Sequence, residues 1–300
     1  MFKDIKQVMK DSVLYGIGNV AVKLVGFILI PLYTDAEYFS TADYGLMGLL
    51  EVTSQILIAV MGLSLYSGLI RWYWDAEYRD KQKTIFFTTL LFTILTSLCI
   101  GSVLWLNVGE LSALLVQQEG YSLGGELPYI LQLLILTSML GAVVEVPQNL
   151  LRLQRKPIYY SLTNIVRLFV TLVLTIYFTI SLHRGVSGVY EAQLVGIVIQ
   201  LLMVLPLVIK NSSCRVDRRC TIQLLAYSYP LVFPAIVGSL LTVFDRYIIN
   251  HFQGLDDVGF YSLGYKVGNT LKVFIVTSVQ LALTPLLMKK MNDPDNKQFY

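Results

Sequence analysis

The feature that most constrains the fold is a series of long apolar runs, of which the clearest is Pro157–Leu182. This run has 26 residues and a single charged side chain, Arg167. At about 1.5 Å of rise per residue, a helix of this length crosses the hydrocarbon core of a bilayer with some tilt. Similar runs recur along the chain, which is 55% hydrophobic and 14% charged, with a mean hydropathy of +0.62. The sequence therefore predicts an all-α polytopic membrane protein.

We expect eight transmembrane helices, preceded by an amphipathic segment at residues 1–10 that lies on the membrane surface. The predicted spans, in order, are Ser12–Thr34, Tyr44–Gly68, Thr84–Val108, Pro128–Leu151, Pro157–Leu182, Ser187–Ile209, Leu224–Asn250 and Asp257–Met288. Cys99 falls in an apolar span, and Cys214 and Cys220 fall in a basic loop without a nearby histidine. These positions predict neither a structural disulfide nor a metal site. We also expect no cofactor, no catalytic residue and no nucleic-acid partner.

The loops alternate in charge, and this alternation predicts an orientation. If the amino terminus is cytoplasmic, the loops on that side hold 17 of the 23 lysines and arginines. The loops on the other side hold only Arg184, together with eight acidic residues. Because cytoplasmic loops carry an excess of positive charge, we expect both ends of the chain to lie in the cytoplasm.

A short internal repeat links the beginnings of the second and eighth predicted spans. Residues 43–46 read DYGL and residues 257–260 read DVGF, 214 positions later. Each places an acidic residue and a glycine at the outer end of an even-numbered span. Repeats of this kind are typical of transporters built from two related halves.

Three stretches carry a resemblance to a known family: DSVLYGIGNVAVKLVGFILIPLYT, STADYGLMGLLE and DRYIINHFQGLDDVGFYSLGYKVGN. In these stretches and along essentially its whole length, the chain resembles the Wzx-type polysaccharide flippases. Those proteins are a branch of the multidrug/oligosaccharidyl-lipid/polysaccharide (MOP) exporter superfamily. The resemblance implies a MATE-like fold of two related six-helix bundles that face each other across a central cavity.

The eight spans would then form one six-helix bundle and the first two helices of a second, as in a truncated chain. We expect a first bundle at residues 1–210, a cytoplasmic linker at 211–223 and the beginning of the second bundle at 224–300. The resemblance also implies translocation of an undecaprenyl-pyrophosphate-linked oligosaccharide across the bacterial cytoplasmic (inner) membrane. Surface polysaccharides such as O-antigen, capsule or exopolysaccharide would be the products. Polysaccharide polymerase and chain-length proteins are the implied partners.

Several spans carry a cation near the membrane midplane, where a charge is costly unless it faces protein or a water-filled cavity. Each cation has an asparagine on the same helical face. A cation suits a diphosphate and an amide suits sugar hydroxyls. We therefore predict a cationic substrate cavity lined by Asn19, Lys23, Asn164, Arg167, Lys266, Asn269 and Lys272.

The alternative for these cations is neutralisation by carboxylates within the membrane. Candidate partners are Glu51, Glu145, Glu191 and Asp245. A further cation, Arg246, follows Asp245 directly, so a local pair or snorkelling to the interface is sufficient to explain it.

Other residues in the spans suit ion coupling and gating. Glu51 and Gln55 lie one turn apart and are candidates for binding H⁺ or Na⁺, or for a structural contact with Lys23. Glu145 is a candidate for an inner gate. Pro230 and Pro234 would interrupt the helical hydrogen bonds of the seventh span and form a hinge.

Two other functions compete with the flippase. A MATE-like drug or cation antiporter would need an acidic cavity, whereas the midplane charges here are mostly basic. A membrane-embedded glycan polymerase or ligase would need a large outer loop with acid, base or arginine residues. The longest outer loop, residues 109–127, contains no histidine, lysine or arginine. The sequence therefore favours a transporter over an enzyme.

Overall fold

The protein is described by a computed structural model that covers residues 28–115, 125–213 and 215–272. For residues 76–77, 242–243 and 270–272 only the backbone is described. Within these ranges the chain forms helices joined by short loops. In chain order they are α1 (Ile30–Tyr33), α2 (Thr41–Gly62), α3 (Leu65–Trp72), α4 (Gln82–Leu106), α5 (Val108–Leu115), α6 (Leu127–Leu153), α7 (Pro157–Ile176), α8 (Gly185–Asn211), α9 (Arg218–Phe252) and α10 (Leu255–Lys272). A short 3₁₀ helix at Ala76–Lys81 precedes α4, and a π-helical turn at Tyr177–Ser181 extends α7.

Six helices of the described ranges are long and apolar enough to cross a membrane. They are Thr41–Gly62, Tyr78–Leu106, Leu127–Leu153, Pro157–Ser181, Gly185–Asn211 and Arg218–Leu241. Their positions correspond to the second to seventh predicted spans, which confirms an all-helical, multi-pass membrane protein. Most of the first predicted span and the second half of the eighth lie outside the described residues. Their described parts are α1 and α10.

Contacts between loops define two ends of the molecule. At the end we call the Ser40 end, the ring of Tyr38 stacks on His183, and Asn250 donates to the carbonyl of Leu115 at 2.9 Å. At the opposite end, the Arg155 end, Gln154 donates to Tyr73 and Asn211 at 3.1 and 2.8 Å. The described basic loop residues gather at the Arg155 end, whereas the described loops at the Ser40 end contain one basic residue, Arg184.

Helix packing places α6 at the centre of helices α2–α8. It packs against α2, α4 and α8, and α7 lies on the outer side of α8. Fully buried residues of α2 and α6 form the main apolar core, which includes Leu46, Leu50, Ile130, Leu134 and Ile135. The later helices close on this group, α10 against α2 and α9 against both α2 and α3.

Side-chain caps begin two of these helices. The Ser40 hydroxyl accepts from the Asp43 N–H at 3.1 Å, and the Asp43 carboxylate accepts from the Ser40 N–H at 2.9 Å. This reciprocal capping box satisfies two N–H groups that have no partner within the helix. At the start of α9, the carboxylate of Asp217 accepts from the N–H groups of Arg219 and Cys220. The acidic helix start predicted from the repeat thus has a structural cause in α2.

The second span differs from its prediction, because it is not one helix from Tyr44 to Gly68. It breaks after Gly62, where Leu63 and Ser64 both adopt left-handed backbone angles with φ of 45° and 51°. Two contacts hold the break. The hydroxyl of Thr96 donates to the carbonyl of Met61 at 2.7 Å, and the hydroxyl of Ser64 donates to the carbonyl of Leu231 in α9 at 3.4 Å. Both partners are distant in sequence, so periodicity alone does not predict the break.

The seventh span begins earlier than predicted and is continuous. Helix α9 begins at Arg218 rather than Leu224 and runs without interruption through Pro230 and Pro234. The hinge role of Pro230 and Pro234 therefore stays a prediction. The domain limits at residues 210 and 224 also stay predictions.

Candidate functional site

The predicted residues of the fifth span form a hydrogen-bonded network with α8. Arg167 donates to the amide oxygen of Gln200 at 3.1 Å, and the amide nitrogen of Gln200 donates to Asn164 at 2.9 Å. Asn164 in turn donates to the carbonyl of Tyr160 at 2.9 Å. Gln200 is 1% exposed, so the arginine is held between helices rather than in lipid. The structure thus brings Asn164 and Arg167 together through a glutamine that was not among the predicted site residues.

A small residue on α8 permits this network. A Cβ atom on Gly196 would lie 3.2 Å from the carbonyl oxygen of Arg167, so α7 and α8 approach closely here. On the opposite face of α7, Ile158 and Phe169 are exposed, as expected of a surface in contact with lipid. None of the four carboxylates proposed as alternatives pairs with Arg167 in the described structure; Glu191 instead pairs with Arg184 at 3.0 Å.

The network continues along α6 and α7 toward the Arg155 end. The guanidinium group of Arg152 lies over the ring of Tyr160 at 4.7 Å and donates to its hydroxyl. One turn further into the span, Gln148 donates to Thr163 at 2.9 Å. Polar groups therefore line the interface of α6, α7 and α8 from the Arg155 end to the depth of Arg167.

A second cluster lies where α10 meets α1 and α2. The ammonium group of Lys266 lies 5.5 Å from the ring centre of Tyr33 and 5.9 Å from that of Tyr44. A cation over an aromatic face is attracted by the negative potential of the ring. Glu51 lies on α2 two turns after Tyr44 and is exposed.

Arg246 extends this region on α9. Its side chain is buried, and its guanidinium group lies 4.8 Å from the ring centre of Tyr265. The expected ion pair with Asp245 is not formed among the described residues, because the Asp245 carboxylate accepts from Tyr261 and from the Arg246 backbone. Sequence reasoning assigned Arg246 a purely local role. The internal repeat was the signal in the sequence that could have placed Arg246 beside α2.

The internal repeat corresponds to a contact between α2 and α10. A Cβ atom on Gly45 would lie 3.0 Å from the backbone nitrogen of Gly259, and one on Gly259 would lie 3.3 Å from that of Gly45. The shift of 214 positions that relates these glycines also relates Thr41 to Leu255. Gly45 faces the carbonyl of Leu255, and Gly259 faces the carbonyl of Thr41. The two repeats therefore contact each other through equivalent residues, as two parts related by local twofold pseudo-symmetry would.

The same shift relates two tyrosines that cross between the repeats. Tyr33 lies against Lys266 of α10, and its counterpart Tyr247 lies 2.7 Å from the hydroxyl of Thr53 in α2. Each tyrosine, at the outer end of an odd-numbered span, thus contacts the even-numbered helix of the other repeat. Such crossed contacts are expected where two related halves face each other.

The remaining predicted residues are distributed as follows. Asn19 and Lys23 lie outside the described residues, and for Lys272 only the backbone at the end of α10 is described. Asn269 and Gln55 are exposed, and Glu145 is half-buried beside the break in the second span. Within the described ranges, no group of three or more histidine, cysteine, aspartate or glutamate side chains is placed to hold a metal ion.

Comparison with known families decides the identity of the chain. Residues 8–291 match the model of a family described as "polysaccharide biosynthesis protein". The chain belongs to this family. It is the Wzx-like flippase family of the MOP superfamily, as the resemblance implied. No curated protein sequence matches the chain.

The fold of this polysaccharide biosynthesis family member is that of MATE and MOP transporters. A MATE multidrug transporter, DinF-BH, matches with a TM-score of 0.71 at 15% identity, over 94% of this chain and 64% of that one. A MATE transporter of Vibrio cholerae matches with a TM-score of 0.68 at 16% identity, over 94% and 65%. A MOP transporter of Pyrococcus furiosus, described as having a binding pocket of reversed polarity, matches with a TM-score of 0.60 at 18% identity, over 94% and 62%.

The chain therefore spans less than two thirds of the length of the transporters it matches. Its family and its fold are those of membrane transporters rather than enzymes.

Proposed function

We propose that this family member takes part in flipping an undecaprenyl-pyrophosphate-linked oligosaccharide for surface polysaccharide synthesis. One observation carries the proposal: the cations Lys266 and Arg246 lie over tyrosine rings at the contact between the two repeats. Cations pair with diphosphate oxygens, and tyrosine hydroxyls hydrogen-bond to sugar hydroxyls. Such a surface fits a ligand that joins a diphosphate to a glycan.

The polar network of Arg167 forms a second cationic surface in this proposal. It belongs to the predicted first bundle at residues 1–210, whereas Lys266 belongs to the predicted second bundle at 224–300. Alternating access would move the two surfaces relative to each other around the lipid-linked substrate. Lys23, Asn19, Asn269 and Lys272 complete the proposed lining, and H⁺ or Na⁺ is the proposed coupling ion. Polymerase and chain-length proteins are the proposed partners.

The experiment replaces cations one at a time in a strain whose surface polysaccharide depends on this gene. For Lys266→Ala and Arg167→Ala we expect surface glycan to fall by about tenfold, since a hydrogen bond to a charged group is worth about 1.5–3 kcal/mol. Lys156→Ala, which removes an exposed lysine at the Arg155 end, is the matched control and should retain full glycan. Unchanged glycan in both cavity variants, at equal protein levels, would rule out the proposed site.

We also propose that the Arg155 end faces the cytoplasm of a bacterial inner membrane, because the described basic loop residues gather there. Single cysteines introduced at Lys156 and Glu37, in a background without native cysteines, distinguish the two faces. An impermeant thiol reagent added to whole cells should label the cysteine at position 37 and spare the one at position 156. The reverse pattern would invert the orientation.

A drug or cation antiporter is the second candidate function, and one observation favours it. Glu51 is an exposed carboxylate on the helix that carries Tyr44, and an acid together with aromatic rings suits an organic cation. Expression in a drug-sensitive strain tests this alternative. Resistance to cationic dyes that is lost in Glu51→Gln, without any effect of Lys266→Ala, would favour the antiporter over the flippase.

A further inference from the structure

The break in the second span releases backbone groups at the end of α2. In a continuous helix the N–H of Ser67 would donate to the carbonyl of Leu63. It donates instead to the carbonyl of Ser64 at 2.9 Å. The N–H of Leu63 bonds to Val60 at 3.3 Å in a tightened last turn of α2. Consecutive left-handed residues other than glycine are unfavourable, and such backbone persists mainly where the surrounding structure or a function requires it.

A carboxylate lies at this break. On α6, the Oε2 atom of Glu145 is 3.9 Å from the position that a Cβ atom on Gly62 would occupy. Gly62 is the last residue of α2, where the carbonyl groups give the helix end a partial negative charge. A carboxylate beside a negative helix end is repelled, and the repulsion is strong in surroundings of low dielectric constant.

The Glu145 carboxylate forms no ion pair with the described residues. Within the described ranges, no hydrogen bond reaches the Glu145 side chain, and Asn149 donates instead to the Glu145 backbone carbonyl at 3.0 Å. Arg152 lies two turns away on the same helix and is engaged with Tyr160. A carboxylate beside a negative helix end, without an ion pair among the described residues, has a cation as its natural counter-charge.

We propose that Glu145 and the break between α2 and α3 form a binding site for a monovalent metal cation, Na⁺. The Glu145 carboxylate, the released carbonyl of Leu63 and the hydroxyl oxygen of Ser64 are the oxygen ligands. Broken membrane helices bind small cations in this way, through unwound carbonyls and the carboxyl-terminal ends of half-helices. Ser64 also contacts Leu231 of α9, so the ion site is joined directly to the helix that leads into the second repeat.

The binding of Na⁺ does not depend on the identity of the transported glycan; only its use to drive transport rests on the proposed function. The sequence predicted Glu145 for an inner gate or as a carboxylate that neutralises a membrane cation. The break, which the sequence did not predict, places the end of α2 beside it.

The experiment measures thermal unfolding of the purified full chain in detergent at pH 8, with Na⁺, K⁺ or choline at constant ionic strength. We expect Na⁺ to raise the melting temperature saturably relative to choline, and K⁺ to do so less. Glu145→Gln should lose the Na⁺ response, with at least a tenfold loss of affinity. Because the amide is neutral, this variant should be at least as stable as the wild type in choline, which a purely structural carboxylate would not produce.

Two further variants keep the test decisive. Glu110→Gln removes a carboxylate exposed on α5 and should keep the full Na⁺ response. Ser64→Ala removes one proposed ligand and should weaken Na⁺ binding several-fold. An equal Na⁺ response in wild type and Glu145→Gln, or no Na⁺ response in the wild type, would overturn the site. Surface glycan that depends on neither Lys266 nor Arg167 would overturn the proposed function alone and leave the Na⁺ result standing.

Discussion

Gly45 of α2 and Gly259 of α10 lie back to back, with each glycine facing the carbonyl of the residue four positions before the other. These carbonyls belong to Leu255 and Thr41, and a Cβ atom on Gly259 would lie 2.5 Å from the Thr41 oxygen. Because the obstacle is backbone rather than a flexible side chain, neither glycine has room for a methyl group. The contact near the Ser40 end thus holds the two repeats together at their first turns.

Substitution of these glycines should separate the two helices. We expect Gly259→Ala to destabilise the protein by about 1–3 kcal/mol, the usual cost of overpacking. Thermal unfolding in detergent measures the effect. Gly264→Ala on the same helix, where a Cβ atom meets nothing within 4 Å, is the control. It should be neutral or stabilising by about 0.5–1 kcal/mol, since alanine is the better helix former. Equal melting temperatures for the two variants would contradict the close contact.

The Arg167–Gln200 hydrogen bond should contribute to stability because it satisfies a cation inside the bundle. Gln200→Leu removes the acceptor of Arg167 and the donor to Asn164, and we expect it to cost about 1–3 kcal/mol. Arg167→Met should remove the penalty of the unpaired charge. The double variant should therefore lose less unfolding free energy than the two single variants lose in sum. Gln193→Leu, on the same helix and without a hydrogen bond among the described residues, is the control. Additive effects in the cycle would exclude direct coupling.

Arg155 should be replaceable by glycine with a gain in stability. It has a φ of 51° in the turn after α6, where Arg155 and Lys156 donate to the carbonyls of Arg152 and Leu151 at 3.1 and 2.9 Å. This is the Schellman arrangement, which favours glycine at the left-handed position. We expect Arg155→Gly to raise the free energy of unfolding by about 1 kcal/mol, the cost of left-handed backbone in other residues. Lys156→Gly, with φ of −109°, should give no gain.

Asp217 makes the stability of the linker dependent on pH. Hydrogen bonds from Lys81, at 2.6 Å, and from the N–H groups at the start of α9 hold the pKa of the Asp217 carboxyl below its usual value. A pKa lowered by folding means that the stabilisation is present above the unfolded pKa of about 3.9 and is lost as the pH falls through the folded value.

Asp217→Asn keeps the helix cap but removes the charge. It should therefore lower the melting temperature at neutral pH and converge with the wild type as the pH falls below about 4. Asp80→Asn, an exposed neighbour without a hydrogen bond in the described structure, should show no such difference. A constant gap between wild type and Asp217→Asn across pH 3–7 would contradict a role for the carboxylate charge.

Much of the architecture followed from patterns that depend only on local sequence. Helices α4, α6, α7 and α8 occupy their predicted spans within a few residues, because a bilayer requires about 20 apolar residues in a helix. The basic loops around Arg155 and Lys210 gather at one end as predicted. The repeat at Gly45 and Gly259 was visible in the sequence, although the sequence did not show that its two copies touch.

The candidate site was less accessible from the sequence, because each polar side chain had several potential partners. Arg167 was expected to face a cavity or a carboxylate, and it bonds to Gln200. Arg246 was explained by a local pair with Asp245 or by snorkelling, and it lies over Tyr265. In a membrane helix any of several neighbours can satisfy a buried cation, and which one does so depends on helix rotation and packing.

The sequence by itself determined that this chain spans a membrane many times and belongs to the polysaccharide biosynthesis family, since both follow from hydropathy and sequence similarity. Only the tertiary structure decided where the second span breaks, which cations lie over tyrosines and how the two repeats meet. These features arise from contacts between residues up to about 200 positions apart, such as Ser64 with Leu231 and Gly45 with Gly259. Local propensity contains no information about which distant carbonyl a side chain will reach.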